Sequence, residues 1–148
     1  VLRSSDYKVD AYHGAQLLKF LFLMVWSADV GAYFVGKSIG KRKLLPNVSP
    51  GKTLEGFLGG VVFACITVAI AGYFIDWSSA QYFIVIPVTV LITTISVLGD
   101  LNESMFKRQA GVKDSGSILP GHGGVLDRID SLTATAPIYA LCYAYLGW

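Results

Sequence analysis

Charged side chains are scarce in this chain: Asp, Glu, Lys and Arg make up 15% of its 148 residues. A water-soluble domain of that size carries about a quarter, so the composition argues against one. Cysteine is nearly absent. Its two copies, Cys65 and Cys142, both lie inside apolar runs. A free thiol behaves there as a small hydrophobe, so neither a disulfide framework nor a cysteine metal site is indicated. There is no internal repeat, no low-complexity segment and no nucleic-acid-binding signature. The chain opens at Val1 without the basic, apolar and small-residue succession of a signal peptide, and is expected to be the C-terminal part of a longer protein.

What fills the sequence instead is apolar length. Phe20–Gly36, Gly56–Ile75, Gln81–Gly99 and Ser131–Trp148 are long apolar runs, and only Asp29 interrupts the first. A membrane-crossing helix needs roughly 20 such residues. The expected fold is therefore all-α: a polytopic membrane helical bundle with about four transmembrane helices, forming a single domain over residues 1–148. Gly56 and Gly60 stand at a GxxxG spacing that lets another helix approach closely. Pro87 and Pro137 are expected to bend the third and fourth spans.

The basic residues are unevenly placed. Lys37, Lys41, Arg42, Lys43 and Lys52 fall between the first and second runs, and Lys107, Arg108, Lys113 and Arg128 between the third and fourth. The turn Asp76–Ala80 has none. The positive-inside rule puts both basic segments on the cytoplasmic face and the turn on the other. A charged cytosolic substrate could then meet both segments at once.

Ionisable chemistry concentrates between Ser104 and Asp130. Asp127 and Asp130 are three residues apart on a helix expected to start after Gly123 and Gly124, so they share a face; Asp100 closes the third span on the same side. Such hard oxygen donors suit Mg²⁺ together with substrate phosphates. Singly, each acid would read as a cap or a solvated boundary charge. Lys107, Arg108, Lys113 and Arg128 are candidates to neutralise phosphate, and His122 among its glycines to hydrogen-bond it or move a proton. A patch that only held anionic headgroups would have no use for three clustered carboxylates.

Asp29, costly inside a span, is expected to wall a polar cavity or to pair with a base. The segment from Gly36 to Gly56 supplies further phosphate-seeking groups, including Lys37 and Lys41. Ser49, Lys52 and Thr53 stand near the start of the second span, where a helix N-terminus favours anions. Gly31–Ser38 literally fits a P-loop pattern. Its intervening Ala, Tyr, Phe and Val read as helix, so the match is rejected.

The residues resemble a known family. Ser104-x-Phe106-Lys107-Arg108, then Lys113-Asp114-x-Gly116, then Leu119-Pro120-x-His122-Gly123-Gly124-Val125-x-Asp127-Arg128-Ile129-Asp130 is similar to the signature of phosphatidate cytidylyltransferase (CDP-diacylglycerol synthase). Asp29, Ala32-Tyr33, Gly36, Gly40-Lys41, Ser49-Pro50, Lys52-Thr53 and Glu55-Gly56 resemble its second, looser block. The resemblance implies an integral enzyme of the bacterial inner membrane whose site faces the cytoplasm. It would turn CTP and phosphatidic acid into CDP-diacylglycerol and pyrophosphate, with Mg²⁺ and a monovalent cation such as K⁺, as a homodimer in the lipid bilayer. Joined to the reading of the residues, it gives Asp100, Asp127 and Asp130 to the metal and to catalysis, together with Lys107, Arg108, Lys113, His122 and Arg128 as catalytic residues. Asp29, Lys37, Lys41, Ser49, Lys52, Thr53, Ser104, Gly123 and Gly124 go to substrate. A CTP-dependent polyprenol or phytol kinase is the competing enzyme; a transporter or lipid-headgroup binder is the competing non-enzyme.

Overall fold

In the computed structural model the backbone is described for residues 6–112 and 126–146, and side chains for residues 14–112 and 131–146. Helix α1 spans Asp6–Ile39. A short hairpin follows, β1 Lys43–Leu45 and β2 Ser49–Thr53, then α2 Leu54–Phe74, α3 Ser79–Gln109 and α4 Leu126–Leu146. The helical bundle expected from the apolar runs is present. Among the described residues, three helices are long and apolar enough to cross a membrane: Gly14–Ile39 within α1, α2 and α3.

α1 and α2 form the most intimate pair, and small residues make that possible. α2 buries Gly56, Gly60, Ala64, Val68 and Gly72, one every four residues. A Cβ placed on Gly60 would lie 2.6 Å from the Ala28 carbonyl oxygen of α1, and one on Gly56 would lie 2.9 Å from that of Ala32. The GxxxG spacing thus serves α1, backbone against backbone. Below it, Leu21, Met24, Val25, Val68, Val85, Val88, Ile92 and Tyr139 form the buried core, drawn from all four helices. Large apolar side chains also cover the outside, Phe83 at 83% exposure and Phe74 at 78%. That pattern suits a hydrocarbon solvent, because lipid makes no demand that such groups be hidden.

Polar residues inside the bundle are satisfied locally. Thr89, Thr93 and Thr135 donate to the carbonyls of Val85, Thr89 and Ser131, each at 2.8 Å. Such back-bonding spares a buried hydroxyl a partner elsewhere, as a water-free interior requires. α3 continues through Pro87 and α4 through Pro137.

The two ends of the bundle differ. At one, the α2–α3 turn folds Trp77 against Phe20 of α1, with ring centroids 5.3 Å apart. Asp76 takes a left-handed φ of 55° there, and Ser78 caps α3 in a reciprocal box with Gln81. At the other end lie the hairpin, the end of α3 and the start of α4. With 31 residues, α3 is about 46 Å long at 1.5 Å per residue, well beyond the roughly 30 Å of a hydrocarbon core. It is therefore longer than a straight crossing needs, which tilt or an extension beyond the hydrocarbon can accommodate. Gly111, at φ +71°, ends it, with the Val112 amide bonded to the Lys107 carbonyl at 2.9 Å. The polar segment Ser104–Asp130 is thus partly helical: Ser104–Gln109 completes α3 and Leu126–Asp130 begins α4.

Gly60→Val should cost about 1–3 kcal/mol of stability by forcing α1 and α2 apart. Gly14→Ala, where an added Cβ meets nothing within 4 Å, should not. Thermal unfolding of the detergent-solubilised protein checks both; equal midpoints would refute the close-packing account.

Candidate active site

The hairpin is the element that sequence reading takes for a loop. Leu44 and Leu45 run into a Pro46-Asn47 turn, and Ser49–Thr53 return antiparallel, with Lys43 opposite Thr53 and Leu45 opposite Ser49. Two leucines before a Pro-Asn turn were the available signal; so many charges and prolines around them obscured it. The return strand delivers Lys52 and Thr53 to the base of α2. The Thr53 hydroxyl accepts the Gly56 amide at 3.1 Å as the N-cap of that helix.

From β2 the Lys52 ammonium reaches the Asp100 carboxylate of α3, pairing with its Oδ2. The Lys52 and Asp100 side chains are 27% and 32% exposed, so the pair is partly buried. The other oxygen, Oδ1, accepts from the Ser104 hydroxyl one turn on, at 3.4 Å. This contact joins the basic segment before α2 to the acidic end of α3.

A cavity of about 260 Å³ surrounds the pair. α1 contributes Asp29, Ala32 and Tyr33; the hairpin and α2 contribute Leu44, Gly51, Lys52, Thr53, Gly56 and Phe57; α3 contributes Ser96, Val97 and Asp100; α4 contributes Ser131. Asp29, costly inside a span, is one of the residues lining this cavity. Gly36 and Gly56 let α1 and α2 converge at its back: a Cβ on Gly36 would meet the Thr53 hydroxyl at 3.2 Å.

The remaining expected residues take several positions. Ser104 is beside Asp100. Lys107 pairs with Glu103 at 3.2 Å, both side chains largely buried at 17% and 15% exposure, and Arg108 is exposed on the last turn of α3. Lys37 extends along α1, its ammonium 5.5 Å above the Tyr33 ring. Lys41 and Ser49 belong to the hairpin base and return strand without lining the cavity. Lys113, His122, Gly123 and Gly124 lie outside the described residues. Asp127, Arg128 and Asp130 occupy the start of α4, but their side chains lie outside the described set. The convergence of Asp127 and Asp130 on Asp100 is therefore not on view; Ser131, the next residue of α4, does share the cavity with Asp100.

Two acids were missed by sequence reading. Glu103 falls three residues after Asp100 and four before Lys107, on one stripe with Ser104, and that spacing could have marked it. Glu55 was noted only as part of a motif. Its Oε2 accepts the amides of both Lys41 and Arg42 at 3.1 Å.

The donors available at the cavity are hard: the Asp100 and Asp29 carboxylates with serine and threonine hydroxyls nearby. Among the described residues no three acidic, histidine or cysteine side chains gather into a metal site; oxygen donors of this kind are those Mg²⁺ takes in company with water and phosphate oxygens.

Apolar helices of membrane-crossing length, with a cavity lined by both acidic and basic side chains at one end, mark an integral-membrane protein. The sequence matches the Cytidylyltransferase family over residues 1–146, and the chain belongs to that family. It is 50% identical to the phosphatidate cytidylyltransferase of Haemophilus influenzae, an alignment covering 98% of this chain and 51% of that protein. With the Pseudomonas aeruginosa protein of the same name the identity is 49%, over 89% of this chain and 49% of the relative. With that of Staphylococcus aureus it is 48%, over 84% and 48%. The chain spans about half the length of the curated relatives it matches.

Because both partners keep contact with solvent, replacing Lys52 by Ala should lower stability by only about 1 kcal/mol or less. Thermal unfolding in detergent measures this. A loss of several kcal/mol would make the pair a structural strut.

Proposed function

We propose that this chain carries the catalytic half of a phosphatidate cytidylyltransferase, joining CTP and phosphatidic acid into CDP-diacylglycerol with release of pyrophosphate. The observation that supports it most is the Lys52–Asp100 contact, which unites the two polar blocks around one cavity in a member of this family. In this reading the protein spans the inner membrane as a homodimer, with both basic segments and the cavity on the cytoplasmic side.

A phosphate oxygen of phosphatidate attacks the α-phosphorus of CTP in line. The new oxygen–phosphorus bond forms as the bond to the β-phosphate oxygen breaks, and pyrophosphate leaves with that electron pair. No protein nucleophile is needed, since the attacking phosphate is already ionised. The task of the side chains is to bring two polyanions together and hold them aligned. Lys52, near the N-terminus of α2, binds a phosphate of the nucleotide, with Thr53 and Ser49 on the same strand. Lys107 and Arg108 neutralise charge from the end of α3, joined by Lys113 and Arg128. Lys37 and Lys41 draw anions toward the mouth. His122 with Gly123 and Gly124 approaches the phosphates from the segment before α4. Asp29 and Ser104 border the bound substrate.

Asp100, with Asp127 and Asp130, would hold Mg²⁺, whose charge offsets that developing on the phosphates; a monovalent cation such as K⁺ is proposed beside it. The lipid tails stay in the bilayer while the headgroup enters from its edge.

Pyrophosphate release from CTP and phosphatidate by the full-length protein, measured with and without Mg²⁺, tests this reading. Label from the α-phosphate of CTP should enter the lipid; label entering only from the γ-phosphate would identify a lipid kinase instead. Lys52→Ala should lower turnover by about 100-fold. Asp127→Asn should abolish it while the protein still folds, and near-normal activity of that variant would remove the metal assignment.

A further inference from the structure

The hairpin that presents Lys52 is too small to hold itself in place. Two strands of three and five residues are marginal on their own, and their pairing is irregular between Lys43 and Leu45. Something else must fix where β2 points.

The contacts at its base identify what does. The Leu54 amide donates to the Arg42 carbonyl at 2.9 Å. Arg42 and Lys41, just before β1, turn their own amides onto Glu55, the second residue of α2. One oxygen, Oε2, takes both at 3.1 Å, and Oε1 lies 3.3 Å from the Arg42 amide. Glu55 thus ties the strand that leaves α1 to the helix that follows β2, closing the hairpin at its neck. Lys52 stands three residues before it on the strand that this closure aims.

We propose that Glu55 is a positioning residue: its carboxylate clamps the neck of the hairpin and so holds Lys52 against Asp100 in the cavity. The consequence for catalysis rests on the function proposed above for Lys52; the clamp itself does not. Glu55 touches no substrate in this scheme and acts only through the hairpin.

A simpler role is open to any acid in the first turn of a helix, where it complements the positive end of the dipole. Two conservative variants separate the roles. Glu55→Asp keeps the charge at the helix start but is one methylene too short to reach both amides. Glu55→Gln loses the charge but keeps a carbonyl oxygen, and a single oxygen already serves both amides. A clamp predicts that Gln preserves function and Asp does not; a dipole partner predicts the reverse.

The primary measurement is independent of activity. Lys52→Cys and Asp100→Cys are introduced together into the full-length protein in membranes, in a background freed of other cysteines (Cys65→Ala, Cys142→Ala), and cross-linking by a short bifunctional methanethiosulfonate, whose spacer takes the place of the lysine stem, is timed. Adding Glu55→Ala or Glu55→Asp should slow the cross-link about 10-fold, equivalent to about 1.4 kcal/mol in the population of the docked hairpin. Glu55→Gln should leave it within about threefold. In the protein with Lys52 and Asp100 intact, kcat/KM for CTP should follow the same order. Equal cross-linking rates in all backgrounds, or an Asp variant that outperforms the Gln variant, would overturn the proposal. Cross-linking in the expected order, together with no cytidylyl transfer by the full-length protein that keeps Lys52 and Asp100, would instead refute the proposed reaction and leave the clamp standing.

Discussion

Everything distinctive about the polar end of this bundle depends on one contact, the ion pair between Lys52 and Asp100. The chain has few charges, and a lone charge at the edge of hydrocarbon is costly. Pairing the two removes that cost for both. It also fixes the relation between elements far apart in sequence, a strand that precedes α2 and the point where α3 leaves the bundle. Around that fixed relation the cavity gathers Asp29 and Tyr33 from α1, Ser96 from α3 and Ser131 from α4. The pair is weak as a source of stability, since each side chain remains about a third exposed and exposed pairs contribute roughly 0–1 kcal/mol. Its importance is positional.

The helices make that position reproducible. Gly56 and Gly60 bring α2 onto the backbone of α1, leaving no room for the two to slide without a clash against Ala28 or Ala32. The same closeness sets the height of Thr53, which caps α2 and touches Gly36 across the interface. At the far end, Trp77 stacks on Phe20 and locks the α2–α3 turn against α1. A rigid pair of helices therefore carries the hairpin, and α3 rises beside it long enough to expose its charged turns. Small residues within the bundle and charged residues beyond it are two halves of one arrangement.

Much of this was legible in the sequence because membrane helices have a strong signature. The apolar runs located α1, α2, α3 and α4, and the GxxxG spacing named the packing face of α2. The rejected P-loop match at Gly31–Ser38 lies within α1, as its bulky interior residues required. Helix ends were harder. α3 was expected to stop at Gly99 and runs to Gln109, because Asn102, Glu103, Lys107 and Arg108 lower the hydropathy without lowering helix propensity. Hydropathy reports where a helix leaves lipid, whereas Gly111 reports where it ends. The hairpin left only a faint signal, Leu44 and Leu45 before Pro46-Asn47: its two strands are short, the second holds Pro50 and Gly51, and contacts from outside hold them. The grouping of Asp29, Lys52 and Asp100 followed from topology in outline, but the pairing of Lys52 with Asp100 did not.

In the reaction proposed above, a site that joins two polyanions needs cations to attract them and acids to hold a counterion, and these would cancel if they were free to collapse together. The fold limits that collapse by mounting them on different supports. Lys52 is carried on a hairpin and Asp100 on a helix, so their contact is made at the tip of a flexible ammonium-bearing stem. Asp100 offers Oδ2 to Lys52 and Oδ1 toward Ser104, so its two oxygens face different neighbours. A phosphate entering the cavity can take the ammonium from the carboxylate without moving either backbone, since the lysine stem alone needs to turn. When the ammonium turns to a phosphate, Asp100 keeps a negative charge without its partner, which in the proposed reaction a cation would offset. Removing either charge breaks that exchange; moving the hairpin that carries Lys52 breaks it equally well.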